Sequence, residues 1–284
     1  MISKQDDILL RAATGLEGGV VASGSTCGVV TGGALGLALL YDNELREGGA
    51  PAEAALLALA GEYVRWFEGR YRTSFCRDRT GVDFYTVGGQ LRYFVPDRVG
   101  RCLWHIGGAV RHLHAVVKSG FPADGSTHTE KRVFHCARDV LRGIREQTGT
   151  GYDLLERASV VFDGGLGLQG GVCGALAGAI MGINLKLGLD IRRMGFFQTA
   201  KAFIIGHLNL LKKKPVDDPE PFAVGRGIVK SFRERAGTLE CRAITGRTFS
   251  GWDDFQDYLG KSSTCQELIK LMVDEASKAI KRFS

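Results

Sequence analysis

Seven cysteines carry most of the chemistry this sequence offers: Cys27, Cys76, Cys102, Cys136, Cys173, Cys241 and Cys265. A cysteine thiolate attacks disulfides or peroxides, or ligates a metal, according to its pKa and its neighbours. Cys27 and Cys173 each stand at the head of an apolar, glycine-spaced stretch (CGVVTGGALG and CGALAGAIMG). A thiol in the first turn of a helix feels the positive end of the macrodipole, and the free amides there favour its charged form. The pattern therefore predicts lowered pKa values and attacking roles for Cys27 and Cys173. Cys76 and Cys241, or Cys136 in the second set, are the expected resolving thiols. Gly28 and Gly32, like Gly174 and Gly178, recur near one helix face and would let a backbone or a flat ligand approach closely. They are candidate cofactor-binding positions, with tight helix packing as the plainer alternative.

The cysteines belong to two copies of one pattern. An offset of 146 residues aligns Gly18, Gly19, Cys27, Gly28, Gly32 and Gly36 with Gly164, Gly165, Cys173, Gly174, Gly178 and Gly182. Later, Phe67, Arg70, Thr73, Cys76 and Arg77 align with Phe232, Arg235, Thr238, Cys241 and Arg242 at an offset of 165. Cys102 and Cys265 close the two sets. Self-similarity of this kind sets the architecture ahead of local detail. The copies are expected to span residues 1–120 and 128–284, with a turn-rich linker over 119–129. An insertion in the second copy, around the proline-rich stretch 212–221, reads as a surface loop. Cys136 lies 37 residues before Cys173, and the same step back from Cys27 runs off the chain. The first copy thus lacks the opening helix and its thiol.

HCARDVL, then FDGGLGLQGGVCGALAGAIMGINLKLG, then FRERAGTLECRAITG, then a late cysteine resemble the C-GCAxxG-C-C family of redox-active proteins. The resemblance carries Cys136, Cys173, Cys241 and Cys265, with Gly174 and Gly178, into the family pattern. The first copy retains Cys27, Gly28, Gly32, Cys76 and Cys102. The resemblance implies a thiol-based redox protein, with an oxidoreductase activity as one form of it. The residues leave other readings open. The four thiols of the second copy could form a Cys₄ metal, iron–sulfur or haem-binding electron-transfer site, with an open position left by the three of the first. They could also be inert in a structural or interaction module. A related arrangement occurs in split-Soret cytochromes, but no Cys-x-x-Cys-His is present for covalent haem attachment.

Arg77 and Arg242 follow a cysteine in each copy and would either lower its pKa or pair with carboxylates such as Asp78. His105, His112 and His114 follow Cys102, but the second copy has no histidine there, so a shared site cannot need them. His135 precedes Cys136 and is a candidate base or ligand.

Apolar residues at three- and four-residue spacing predict helices over 53–70, 98–117, 130–147 and 263–281. The best strand candidate, 82–95, is short and carries Gly88-Gly89. The expected fold is all-α, with two pseudo-symmetric repeats packed through their glycine-rich helices. A net charge of +6 is scattered, without the basic stripe and interleaved aromatics of a nucleic-acid binder. The uncharged runs 18–41 and 164–185 are rich in Gly, Ser and Thr and read as buried helices, not membrane spans. No secretory leader opens the sequence, so the thiols are expected in a reducing cytoplasm. A partner redox protein or small thiol is expected, and a homodimer fits.

Overall fold

The computed structural model describes residues 6–94, 96–122, 133–211 and 221–283. The fold is all-α. Fourteen α-helices are present and no β-strand occurs among the described residues. The first copy holds α1 (Asp7–Ala13), α2 (Gly28–Leu40), α3 (Asp42–Tyr71), α4 (Cys76–Thr80), α5 (Val87–Tyr93) and α6 (Pro96–Lys118). The second holds α7 (Cys136–Thr148), α8 (Asp153–Ala158), α9 (Gly174–Leu187), α10 (Phe196–Asn209), α11 (Pro221–Ala236), α12 (Cys241–Thr245), α13 (Trp252–Lys261) and α14 (Ser263–Arg282). Both glycine-rich stretches are thus helices, and α9 is buried along nearly its whole length.

Local chemistry explains the boundaries. α3 starts earlier than its apolar periodicity and kinks at Gly49 (φ 55°, ψ −139°). Pro51, two residues on, has no amide to donate, so the ladder breaks there. The strand candidate is instead helix α5, because the Thr86 side chain accepts from the Gly89 amide at 3.0 Å and caps its first turn. The expected loop at 212–220 and most of the expected linker lie outside the described residues.

Between α1 and α2, and again between α8 and α9, the backbone does something the sequence did not announce. Residues 18–22 all have positive φ (62°, 81°, 67°, 50° and 54°), and so do residues 164–168 (59°, 79°, 68°, 57° and 64°). These are left-handed helical turns. The glycine pairs Gly18-Gly19 and Gly164-Gly165 open them. The Val21 amide donates to Gly15 O and the Gly24 amide to Gly18 O, and Gly167 to Val161 and Gly170 to Gly164 repeat both bonds in the second copy. Left-handed turns cost about 1–2 kcal/mol per non-glycine residue. Val20, Val21 and Leu166 bear that cost while being almost fully buried, so apolar burial holds them there.

The two copies are intertwined. α1 of the first packs on α9 of the second, and α8 of the second packs on α2 and α3 of the first. Each left-handed turn also meets a helix of the other copy. A Cβ on Gly61 would lie 2.6 Å from Gly167 O, and one on Gly225 would lie 2.8 Å from Val21 Cγ2. One hydrophobic core, including Phe67, Phe162, Leu176 and Phe232, runs through both copies.

Candidate thiol sites

Each site is built around a short backbone clamp. Thr26 and Phe75 form an isolated antiparallel bridge, as do Val172 and Glu240. The Cys27 amide donates to Ser74 O and the Cys76 amide to Ser25 O, both at 2.8 Å. In the second copy, Cys173 donates to Leu239 O at 2.8 Å and Cys241 to Gly171 O at 2.7 Å. The clamp therefore fastens the cysteine ahead of each glycine helix to the cysteine that opens the next short helix. The two clamps meet: Val172 N donates to Thr26 Oγ1 (2.8 Å), and Ser25 Oγ and Arg77 Nη1 donate to Glu240 Oε1 (3.1 and 2.8 Å). Burial works against the charged form of Glu240, but Thr238, Arg77 and Ser25 hold its carboxyl below the usual range.

In the second copy, Cys136 at the start of α7, Cys173 ahead of α9, Cys241 at the start of α12 and Cys265 in α14 line one cavity of about 10 Å³. That is room for about one water. In the first copy, Cys27, Cys76 and Cys102 lie close enough to influence one another electrostatically. All seven cysteines are free thiols. Cys102 and Cys265 are partly exposed and the other five are buried.

The expected lowering of the helix-entry thiols does not occur. Burial pushes Cys173 up to about 12, against the favourable pull of the Ala175 and Leu176 amides. Cys27 is likewise raised by burial, despite the Val29 and Val30 amides. Burial raises Cys76, Cys136, Cys241 and Cys265 too. The amide effect at a helix start is real, but desolvation of an anion in an apolar pocket outweighs it.

Beside Cys136 sits a buried charge cluster. His135 Nδ1 lies 2.6 Å from Asp163 Oδ2, and its Nε2 lies 3.2 Å from Glu53 Oε2. Arg138 reaches Glu53 Oε1 at 2.5 Å. Burial opposes charge on His135, but Asp163 and Glu53 override it and raise its pKa. Asp163 Oδ1 also accepts the Cys136 amide at 2.8 Å, and its charge helps keep that thiol protonated. His135 is therefore locked between two carboxylates.

Arg77 and Arg242 do not face the thiols. Arg77 pairs with Glu240 and, at 3.8 Å, with Asp78, while Arg242 donates to Gln169 O. The cation that acts on Cys27 and Cys76 is Arg79, which also contacts His105. Burial and Arg79 lower His105 to about 4. His112 stacks on Trp66 at 3.8 Å, and His114 lines a groove beside α2. Gly174 and Gly178 do serve close approach, but of another helix: a Cβ on either would lie 2.7 Å from Cys136 Cβ or Ala137 O. Gly32 has nothing within 4 Å of such an atom. The readable trace of the buried cluster was an acidic residue before the glycine pair in both copies, Glu17 and Asp163.

The fold and its sites define an all-helical double repeat with a group of mostly buried free thiols in each copy. A family model described as "Putative redox-active protein (C_GCAxxG_C_C)" matches residues 1–116 and 134–279. The chain belongs to that family. No curated protein and no solved structure matches it. Among the described residues, no helix is long and apolar enough to cross a membrane.

Proposed function

We propose that the chain is a thiol/disulfide redox protein whose working unit is the second repeat. The observation that supports this most is the shared cavity. Cys136, Cys173, Cys241 and Cys265 come from four separate elements and line one small apolar space. Cys265 is the partly exposed member, so it is the point of entry for a small disulfide or a redox partner protein. Its thiolate attacks one sulfur of the incoming disulfide, forming a mixed disulfide and releasing the first thiol. A second cysteine of the cavity then loses its proton and displaces the other sulfur. The products are one internal disulfide and two reduced thiols, and a dithiol reductant reverses the step. The raised thiol pKa values make this exchange slow at neutral pH. Free resting thiols suit a reducing compartment such as the cytoplasm.

A metal centre on the same four cysteines is the less favoured reading. Among the described residues, no group of three or more His, Cys, Asp or Glu side chains is arranged to hold a metal ion. A redox titration with disulfide mapping by mass spectrometry tests the proposal. It expects one reversible disulfide within the second set, and loss of reaction with external disulfide in Cys265→Ser. Four thiols that stay reduced throughout would overturn it, as would stoichiometric metal in anaerobically purified protein.

A further inference from the structure

The second copy has a helix, α7, with no counterpart among the described residues of the first. In the second, α7 lies against both α9 and α14 and buries Cys136, Ala137, Val140, Leu141 and Ile144. In the first, the matching helices α2 and α6 border an open apolar groove of about 570 Å³. Its floor is Gly28, Gly32 and Gly36, and its far wall includes Ile106, Val110 and Leu113. Aligned positions measure what is missing. Ile269 and Val273 on α14 are 8% and 9% exposed, and Val273 packs on Gly143 of α7. Their counterparts Ile106 and Val110 are 45% and 60% exposed. A Cβ on Gly178 or Gly182 would strike α7, whereas nothing lies within 4 Å of one on Gly32 or Gly36. The counterpart of Asp163, which accepts the first amide of α7, is Glu17; it lines a neighbouring hollow with Leu10 and Thr31 and pairs with His207 at 3.6 Å.

We propose that this groove docks an amphipathic helix of a partner protein that opens with Cys-Ala, as Cys136–Thr148 does, and that its cysteine joins Cys27, Cys76 and Cys102 as the fourth thiol. The helix anchors through positions i, i+3, i+4 and i+7, the spacing of Ala137, Val140, Leu141 and Ile144. The wall helix α6 carries Arg111 and Lys118 at exposed positions, while Arg101 there is paired with Asp97 at 3.1 Å, so the partner helix has an acidic outer face. The same charges, on a chain of net charge +6, oppose a second copy docking there. The docking does not depend on the exchange chemistry proposed for the second repeat.

The test uses the full chain under reducing conditions and a labelled, lactam-stapled peptide of residues 136–148 carrying Arg142→Glu and Arg145→Glu. Fluorescence anisotropy should show saturable binding. The chain with Gly32→Leu and Gly36→Leu should keep its helical circular dichroism and bind at least about tenfold more weakly. The peptide with its native arginines should bind less tightly, by a margin that shrinks with salt. Mild diamide oxidation should link the peptide cysteine to Cys27 or Cys102. Absence of saturable binding, or equal affinity for the two chains, would overturn the docking. Binding without the cross-link would overturn the fourth-thiol role. A dimer of the free chain that Gly32→Leu and Gly36→Leu dissociate would place a second copy in the groove instead.

Discussion

One substitution made at two aligned positions should have opposite signs. Gly32 and Gly178 occupy the same place in α2 and α9, and both are helical. Replacing glycine by alanine in a helix interior gains roughly 0.5–1 kcal/mol, chiefly by restricting the unfolded chain. At Gly32 nothing opposes that gain, because a Cβ there meets no atom within 4 Å. At Gly178 the new methyl would lie 2.7 Å from Ala137 O and 2.9 Å from Ala137 Cα. Backbone cannot swing aside as a flexible side chain can, so α7 must move off α9. Overpacking of this kind costs about 1–3 kcal/mol, which the helix gain only partly offsets. Gly32→Ala should therefore stabilise by up to about 1 kcal/mol, and Gly178→Ala should destabilise by about 1–2 kcal/mol. Urea unfolding followed by circular dichroism, with reductant present, measures both. A neutral or stabilising Gly178→Ala, or a destabilising Gly32→Ala, would refute the argument from helix contact.

Further outcomes concern the thiols and the charges beside them. Cys173 is pushed up to about 12 in the fold, while a free cysteine titrates near about 8.5. Its contribution to stability is whole below the free value and is lost as pH rises toward the folded one. The loss is roughly 1.4 kcal/mol per pH unit for this thiol, and Cys173→Ala should flatten the unfolding free energy measured from pH 8 upward by about that slope. Timed alkylation of native protein should label Cys102 and Cys265 before the five buried cysteines, and a buried thiol reacting first would contradict their burial. Asp163→Asn leaves His135, Glu53 and Arg138 without charge balance and should cost roughly 3 kcal/mol or more. Because the pKa of His135 is raised, that cost should be largest below the ordinary histidine value and should shrink as pH rises through the folded-state one. A pH-independent difference between the Asp163→Asn and native unfolding curves would show that His135 carries no charge in the fold.

Much of the site was legible because its signals are local or repeated. The offsets that pair Cys27 with Cys173 and Cys76 with Cys241 also pair the two backbone clamps. What stayed hidden depends on contacts between distant segments. Gly18-Gly19 resembles an ordinary helix end, and nothing in Val20-Val21 suggests left-handed backbone, which β-branched residues normally avoid. The direction of the thiol pKa shifts depends on how deeply packing buries them, so helix position alone misled. Arg77 and Arg242 sit next to cysteines in sequence, yet the clamp turns them outward, and Arg79, two residues further on, acts on the first set instead.

The crossing of leading helices has a consequence for biosynthesis. α1 leaves the ribosome some 160 residues before its packing surface on α9 is made. At about 5–20 residues per second, α1 waits on the order of ten seconds or more. During that time the apolar residues of the first half lack part of their cover. Contacts that span such sequence distances form slowly, so native structure should consolidate only as the second glycine helix emerges. A nascent chain halted before residue 174 should then be far more open to proteolysis than the released protein.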